Sequence, residues 1–397
     1  MTERTGVWLI GALGGLATTV MAGTRMLARG LRPAIGLATE GSDFENLDLL
    51  SLDQLVFGGH EIRTGSLFDS SLQISRDNGS LPHDALLEIE PELRQIDSAI
   101  RPGFPLGGGP VIDRFAEVEQ VAPEGSLRDR IALIQTDLDR FREVQGVKRL
   151  VVVNLASTEP PLELGPAHQT LSQLEQALDH NSIELVKASL LYAYAALDRG
   201  HAYINFTPSN AALIPAIEEL AASRGAPFMG SDGKTGETLV KSALAPMFKH
   251  RALRVLSWQG YNLLGDRDGE VLSEPDNLRS KVESKDGVLP SILGYPVHTH
   301  VGIDYVPSLK DLKTAWDFIH FQGFLGHPMS MQFTWQGCDA VLAAPIVLDL
   351  IRLVELAARR GESGPQPHLA CFFKRPHGCG EHDLHRQWQQ LVAYARR

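Results

Sequence analysis

Cysteine is scarce in this chain: Cys338, Cys371 and Cys379 are the three in 397 residues. An odd number without close pairing argues against a disulfide framework or a structural zinc site, and fits a reducing, cytoplasmic compartment. Cations are outnumbered too, with 37 Lys and Arg against 48 Asp and Glu and a net charge of −11. That balance disfavours nucleic acid or an acidic membrane as the main partner. A local group of lysines still suffices to hold a phosphorylated metabolite. No apolar run approaches the roughly twenty residues of a membrane helix. The chain enters its first apolar stretch at Val7 and no signal peptide is expected. Internal repeats, low-complexity tracts and His/Cys/carboxylate clusters with metal-ligand spacing are also missing, so a metal stays unassigned.

What remains is a globular composition, 43% hydrophobic and long enough for one large domain or two ordinary ones. Residues 7–10 (Val-Trp-Leu-Ile) form a short apolar run closed by Gly11, which reads as a buried parallel strand. Gly14 and Gly15 make the turn, and residues 18–27 the helix after it. The run Gly11-Ala12-Leu13-Gly14-Gly15-Leu16-Ala17-Thr18 departs from G-x-G-x-x-G in its second glycine, but its context is that of a dinucleotide loop. The competing reading is an ordinary glycine turn. A second strand is expected at 34–37, with Glu40 after it as the acceptor for ribose hydroxyls. The clearest strand is 150–153, ending in the polar turn Ala156-Ser157-Thr158-Glu159-Pro160. At that sheet edge Ser157 and Thr158 either face a cofactor or simply cap a turn. Further along, 185–197 reads as a helix and 203–206 as a strand.

The stretch Gly230-Ser231-Asp232-Gly233-Lys234-Thr235-Gly236-Glu237-Thr238 packs glycines, hydroxyls and a lysine into a turn before a helix. Exposed N–H groups at a helix start attract anions, and glycine lets the backbone approach them. The spacing is not that of a Walker A loop, so a phosphate monoester is the better ligand; the bland alternative is a capped surface helix. Beyond it, 253–261, 298–305 and 331–335 read as strands of an antiparallel or mixed sheet. An amphipathic helix follows at 343–360 and a last strand at 369–373. The economical architecture is α/β: a Rossmann-like doubly wound domain (1–235), an inserted α+β domain (236–342), and a C-terminal segment (343–397) returning to the first domain.

Lys281 and Lys285 stand four apart. On a helix they share a face, where like charge favours loss of one proton, although such spacing usually marks a solvated face. Lys313 is unremarkable in isolation. Lys374 directly follows the apolar run Ala370-Cys371-Phe372-Phe373, and a cation at a buried strand end needs an anion. Asp339, flanked by Trp335 and the apolar run 340–347, reads as shielded and is a natural partner for a shielded lysine.

Taken in order, these segments resemble inositol-3-phosphate synthases (also called myo-inositol-1-phosphate synthases), specifically their shorter archaeal and bacterial branch. The resemblance rests on Asn154-Leu155-Ala156-Ser157-Thr158-Glu159-Pro160, Asn205-Phe206-Thr207-Pro208-Ser209 and the 232–238 loop. It continues through Tyr261-Asn262-Leu263-Leu264-Gly265-Asp266-Arg267-Asp268-Gly269, Ser280-Lys281, Ser284-Lys285, Asp311-Leu312-Lys313 and Asp339-Ala340-Val341-Leu342-Ala343-Ala344-Pro345. It implies an NAD-containing cytoplasmic homotetramer that turns D-glucose 6-phosphate into 1D-myo-inositol 3-phosphate. C5 is oxidised by hydride loss to NAD⁺, C6 enolises and attacks the C1 aldehyde, and C5 is reduced again.

By matching positions, the resemblance assigns the catalytic roles to lysines. Lys281 exchanges the C5 hydroxyl proton, Lys285 and Lys313 stabilise the C5 oxyanion or the phosphate, and Lys374 acts at the C1 oxygen. Asp339 holds a lysine. Gly11, Gly14, Gly15, Leu16, Ala17, Thr18, Ser157, Thr158, Asp232, Thr235 and Asp268 fall to the cofactor. Thr235, Gly236, Glu237, Thr238, Asn262 and Leu264 fall to the substrate. The chain has Lys310-Asp311-Leu312-Lys313 where eukaryotic relatives carry Gly-Asp-Ser-Lys, and Gly230-Ser231-Asp232 where many relatives carry paired acids, which leaves a divalent or monovalent cation as an open requirement. A related sugar-phosphate cyclase, a plain NAD-dependent dehydrogenase and a non-catalytic NAD-binding scaffold are the competing functions.

Overall fold

The computed structural model describes residues 3–283 and 288–397, and side chains are described outside 281–283. The first apolar run is indeed a strand, β1 (Thr5–Ile10), buried along its whole length. It lies between β2 (Leu55–Glu61) and β4 (Leu150–Asn154), while β3 (Ile100–Pro102) extends the β2 side. Beyond β4 come β5 (Ala202–Asn205), β6 (Pro227–Gly230) and a two-residue edge (Gly364–Pro365). Every pairing in this seven-stranded sheet is parallel. The chain winds outward from β1 in one direction and then resumes from β4 in the other. A crevice therefore opens at the carboxyl ends of β1 and β4, where ligands bind in sheets of this kind.

The second sheet is built from β7 (Arg254–Leu264), β8 (His298–Tyr305), β9 (Lys313–Gln322) and β10 (Pro328–Gly337), in the order β10-β9-β7-β8. It is mixed: β7 and β8 run parallel, and the other neighbours are antiparallel. One face packs Trp258, Ile319 and Phe321 against Phe248 of the 236–250 helix and against Leu289 and Ile292 of the 288–293 helix. The opposite face leaves Tyr261 and Trp316 stacked on each other, 39% and 36% exposed.

The helix Gly236–His250 joins the two sheets, and its first turn lies where they meet. The helix Asp339–Arg359 then carries the chain back onto the first sheet, with its apolar stripe buried against the same core as the Gly15–Ala28 helix.

Three local expectations are corrected. Residues 34–37 form a turn, not a strand. The following 3₁₀ turn (Ala38–Glu40) is pinned by the returning helix, since Asp349 accepts from the Ala38 and Thr39 amides at 2.8 and 3.0 Å. The second strand of the fold is β2, twenty residues later. Glu40 is paired with Arg352 at 2.6 Å and is not part of the crevice, so it is no ribose acceptor. Residues 369–373 are mostly a 3₁₀ helix (Pro367–Phe372), because a short buried apolar run does not by itself distinguish strand from helix. Only Phe373 makes a bridge, to Gly233.

Candidate active site

A cavity of about 760 Å³ runs from the glycine loop after β1 to the start of the 236–250 helix and the edge of the second sheet. Its nucleotide end is built by close packing. Gly11 has φ +81°, and a Cβ there would come within 3.1 Å of the Ala156 Cα on the loop after β4. Only glycine is comfortable in such a place. The helix Gly15–Ala28 starts at Gly14 with no side chain capping it. An added Cβ at Gly15 would meet nothing within 4 Å, so that face is open. An uncapped N-terminus beside open space is suited to a pyrophosphate. Across the crevice, Thr158 Oγ1 is buried without a hydrogen-bond partner, an atom a ligand can satisfy. The residues present therefore fit a dinucleotide.

Gly11, Gly14, Gly15, Leu16, Ser157, Thr158, Asp232, Thr235 and Asp268 all line this cavity. Ala17 and Thr18, also expected at the cofactor, are fully buried in the first turn of the helix and do not line the cavity. The acid that sequence reasoning missed is Glu61 at the end of β2. Its Oε2 accepts the Leu13 amide of the glycine loop at 2.7 Å, and both carboxylate oxygens bind the Arg63 guanidinium at 3.2 and 3.1 Å. Glu61 thus holds the loop's shape. Locating β2 correctly would have found it, because an acid closing the second strand is the usual signal. Replacing Glu61 with Gln removes the charge from this loop-holding bond. NAD affinity is expected to fall about tenfold, measurable by fluorescence titration, since hydrogen bonds to charged groups contribute about 1.5–3 kcal/mol.

The substrate end begins at Thr235, which opens the 236–250 helix without a side-chain cap, while Thr238 Oγ1 in the first turn is buried and unpartnered. Gly236 has φ +56°, and a Cβ there would fall 3.2 Å from the Lys313 ammonium. A helix start, two threonines and an adjacent ammonium make an anion site. Lys313 also contacts Asp339 at 2.9 Å and lies 5.6 Å from the centre of the Trp335 ring. Asp339 is less shielded than its apolar neighbours suggest, with 34% of its side chain exposed.

Lys374 enters from the C-terminal segment and meets Asp232 at 2.9 Å, with both side chains almost wholly buried. Backbone bonds clamp the pair: the Lys374 amide donates to Asp232 O at 2.7 Å, and the Asp232 amide to Thr207 O at 2.9 Å. Asn262 and Leu264 on β7, and Glu237 and Thr238, complete this end. Asp266 and Asp268 follow β7 directly. Burial, then the neighbouring Asp268 charge, pushes the Asp266 carboxyl up to about 7.

Lys281 belongs by its backbone to the helix Pro275–Glu283, which docks on the crevice: Asn277 donates to Thr158 O at 2.7 Å and Ser280 to Glu159 O at 2.9 Å. Its side chain and the whole of Lys285 lie outside the described residues. Of the four expected lysines, Lys313 and Lys374 are brought to one cavity from positions 61 residues apart. Among the described residues no His, Cys and carboxylate group of three is placed to hold a metal ion.

The sequence matches the family profile described as myo-inositol-1-phosphate synthase over residues 5–396. Inositol-3-phosphate synthase 1 of Bacteroides thetaiotaomicron is 33% identical, over 98% of this chain and 94% of its own. The inositol-3-phosphate synthase of Dictyostelium discoideum is 28% identical, over 90% and 75%. In fold, the chain is similar to the crystal structure of inositol-3-phosphate synthase from Caenorhabditis elegans, with a TM-score of 0.87 and 24% identity over 99% of this chain and 85% of that one. A myo-inositol-1-phosphate synthase-related protein from Thermotoga maritima gives a TM-score of 0.80 at 23% identity, with 99% of each chain covered. With a profile spanning almost its whole length and a relative one-third identical from end to end, this chain belongs to the myo-inositol-1-phosphate synthase family.

Proposed function

We infer that the protein is an NAD-dependent enzyme that cyclises D-glucose 6-phosphate to 1D-myo-inositol 3-phosphate. The observation that carries this reading is a single cavity with an uncapped, open helix start at the nucleotide end and a second uncapped helix start beside a lysine at the other. Bound NAD supplies a reversible hydride acceptor, so the overall conversion needs no net oxidant.

The remaining work falls to the chain's own side chains. Thr235, Gly236 and Thr238 hold the substrate phosphate at the 236–250 helix start, with Lys313 adding its charge. Asn262 Oδ1, buried and without a hydrogen-bond partner, accepts a sugar hydroxyl. Lys374 donates to the oxygen that becomes negative when the ring closes, and Asp232 fixes its ammonium. Cations held in a shielded site stabilise such oxyanions far better than they would in water. Lys281 and Lys285 keep the proton-exchange and oxyanion roles that their motif positions imply. The domain limits follow the two sheets: a nucleotide domain to about residue 235, a catalytic and assembly domain to about 342, and a C-terminal return that brings Lys374.

Purified protein mixed with NAD⁺ and glucose 6-phosphate is expected to give an inositol phosphate by NMR with no lasting rise in NADH. A stoichiometric rise in NADH with no cyclic product would mean a plain dehydrogenase instead.

The stacked Tyr261–Trp316 face of the second sheet supports self-association, because an apolar patch is rarely left to water, and the family resemblance implies a tetramer. Trp316→Glu is expected to shift the protein to smaller species in light scattering; an unchanged mass would exclude that face. Among the described residues no helix is long and apolar enough to cross a membrane. A cytoplasmic location is consistent with the three free cysteines.

A further inference from the structure

One turn into the 236–250 helix lies a buried charge that the reaction, as read above, does not use. Lys241 is 1% exposed, and its ammonium sits 2.5 Å from Glu237 Oε1, whose side chain is equally buried. The carboxylate's other oxygen, Oε2, accepts the Asn262 amide at 3.0 Å. Room for the carboxylate is cut out of β7 by Gly260, where an added Cβ would fall 2.2 Å from Oε1. Two elements therefore converge on one carboxylate: its own helix with a lysine one turn on, and β7 with the Asn262 amide and the bay at Gly260.

The arrangement poses an electrostatic problem. Glu237 occupies the first turn of the helix whose N-terminus receives the substrate phosphate, and an unneutralised carboxylate there would repel the phosphate dianion. It also determines which way Asn262 points. With its Nδ2 given to Glu237 and, at 3.3 Å, to Gly302 O, the Asn262 Oδ1 is left buried and without a hydrogen-bond partner, on a residue that lines the cavity.

We propose that Lys241 is a positioning residue that neutralises Glu237 at the phosphate-binding helix start and, through it, fixes Asn262 with its oxygen toward the sugar. Lys241 does not touch substrate; it sets the local charge and the amide orientation that the substrate meets. This inference rests on the reading that the 236–250 helix start binds the substrate phosphate.

The test uses the NAD-loaded full-length enzyme with glucose 6-phosphate. Lys241→Met is expected to raise KM roughly 10- to 100-fold while kcat changes less than about threefold. The double variant Glu237→Gln with Lys241→Met, neutral at both positions and still able to hold Asn262 through the Gln carbonyl, is expected to return KM to within about threefold of the parent. A merely structural ion pair would lower the melting temperature without this split and without the rescue. The proposal is overturned if the single variant keeps the parent KM, or if the folded double variant is no better than the single. Should Lys241→Met not fold, Gly260→Ala keeps the pair but displaces the carboxylate, and an unchanged KM there also overturns it. If the unaltered enzyme forms no inositol phosphate, the functional reading fails by itself. Calorimetric binding of inorganic phosphate then separates the variants on the same criteria, with weakened binding in the single variant and recovery in the double expected.

Discussion

Lys374→Met is expected to cut turnover roughly 100- to 1,000-fold, the scale at which removing one preorganised donor to a developing oxyanion lowers kcat. Lys374 is 5% exposed and lines the cavity, with its ammonium 2.9 Å from Asp232. Its backbone is fixed on both sides, because the 231–234 loop and residues 372–375 exchange hydrogen bonds: Ser231 to Arg375, Lys234 to Phe372, Lys374 to Asp232. A shorter or neutral side chain has no route to the same point. Losing one member of a buried ion pair costs roughly 3–5 kcal/mol of stability, so a folding defect could imitate a catalytic one. Adding Asp232→Asn separates the two. The double variant is expected to regain most of the melting temperature and none of the rate. Because ring closure follows the first oxidation, the single variant is also expected to accumulate NADH that the parent enzyme does not. Parent-like turnover in folded Lys374→Met would remove this lysine from the chemistry.

How far such a site is legible in the sequence depends on the range of the forces that build it. The glycine loop after β1, the strand β4 with its Ser157-Thr158 turn and the 230–238 loop are local signals: a few apolar residues, then backbone-permissive ones. Each was found where it was expected. β2 was not: it carries two central glycines, Gly58 and Gly59, which weaken a strand signal. In the folded chain they are demanded by packing, since a Cβ at Gly59 would come within 2.2 Å of Leu9 O and one at Gly58 within 2.9 Å of the Trp8 ring. Nothing near them in the chain announces that contact. β9 was missed for a related reason: its alternation mixes Lys313, Thr314 and Asp317 with apolar residues, and the buried Asp317 accepts from Trp258 on β7 at 2.7 Å. Asp349 pinning Thr39 and Glu237 fitting the bay at Gly260 are likewise long-range, and one sequence carries no trace of them. The resemblance to the family supplied Lys313, which spacing alone did not distinguish from other lysines, whereas Lys374 already stood out behind its apolar run.

The second large effect concerns stability and Lys234, two residues beyond Asp232 in the 230–238 loop. Lys234 is 2% exposed, and its ammonium reaches Gln387 Oε1 on the C-terminal helix at 2.5 Å. Asp232 and Thr235 of the same turn line the cavity, so the loop is held from opposite sides. Burial pushes the Lys234 amine down from its ordinary 10.5 to about 8. The folded form therefore releases this proton more readily than the unfolded chain does. Between about pH 8 and 10.5 the unfolded state binds more protons, and stability contributed by this group rises with pH across that window. The displacement corresponds to about 3 kcal/mol. Cys371 acts oppositely: burial pushes its thiol up to about 12, so from about pH 9 its ionisation favours the unfolded chain. A wild-type profile alone mixes the two. The unfolding free energy of the parent minus that of Lys234→Met, from urea titrations at stepped pH, largely cancels the thiol. That difference is expected to be small or negative near pH 7.5 and to climb by about 3 kcal/mol by pH 10.5. A flat difference would mean that Lys234 keeps an ordinary amine in the folded protein. The loop that carries Asp232 would then be free of the desolvation cost that its burial implies.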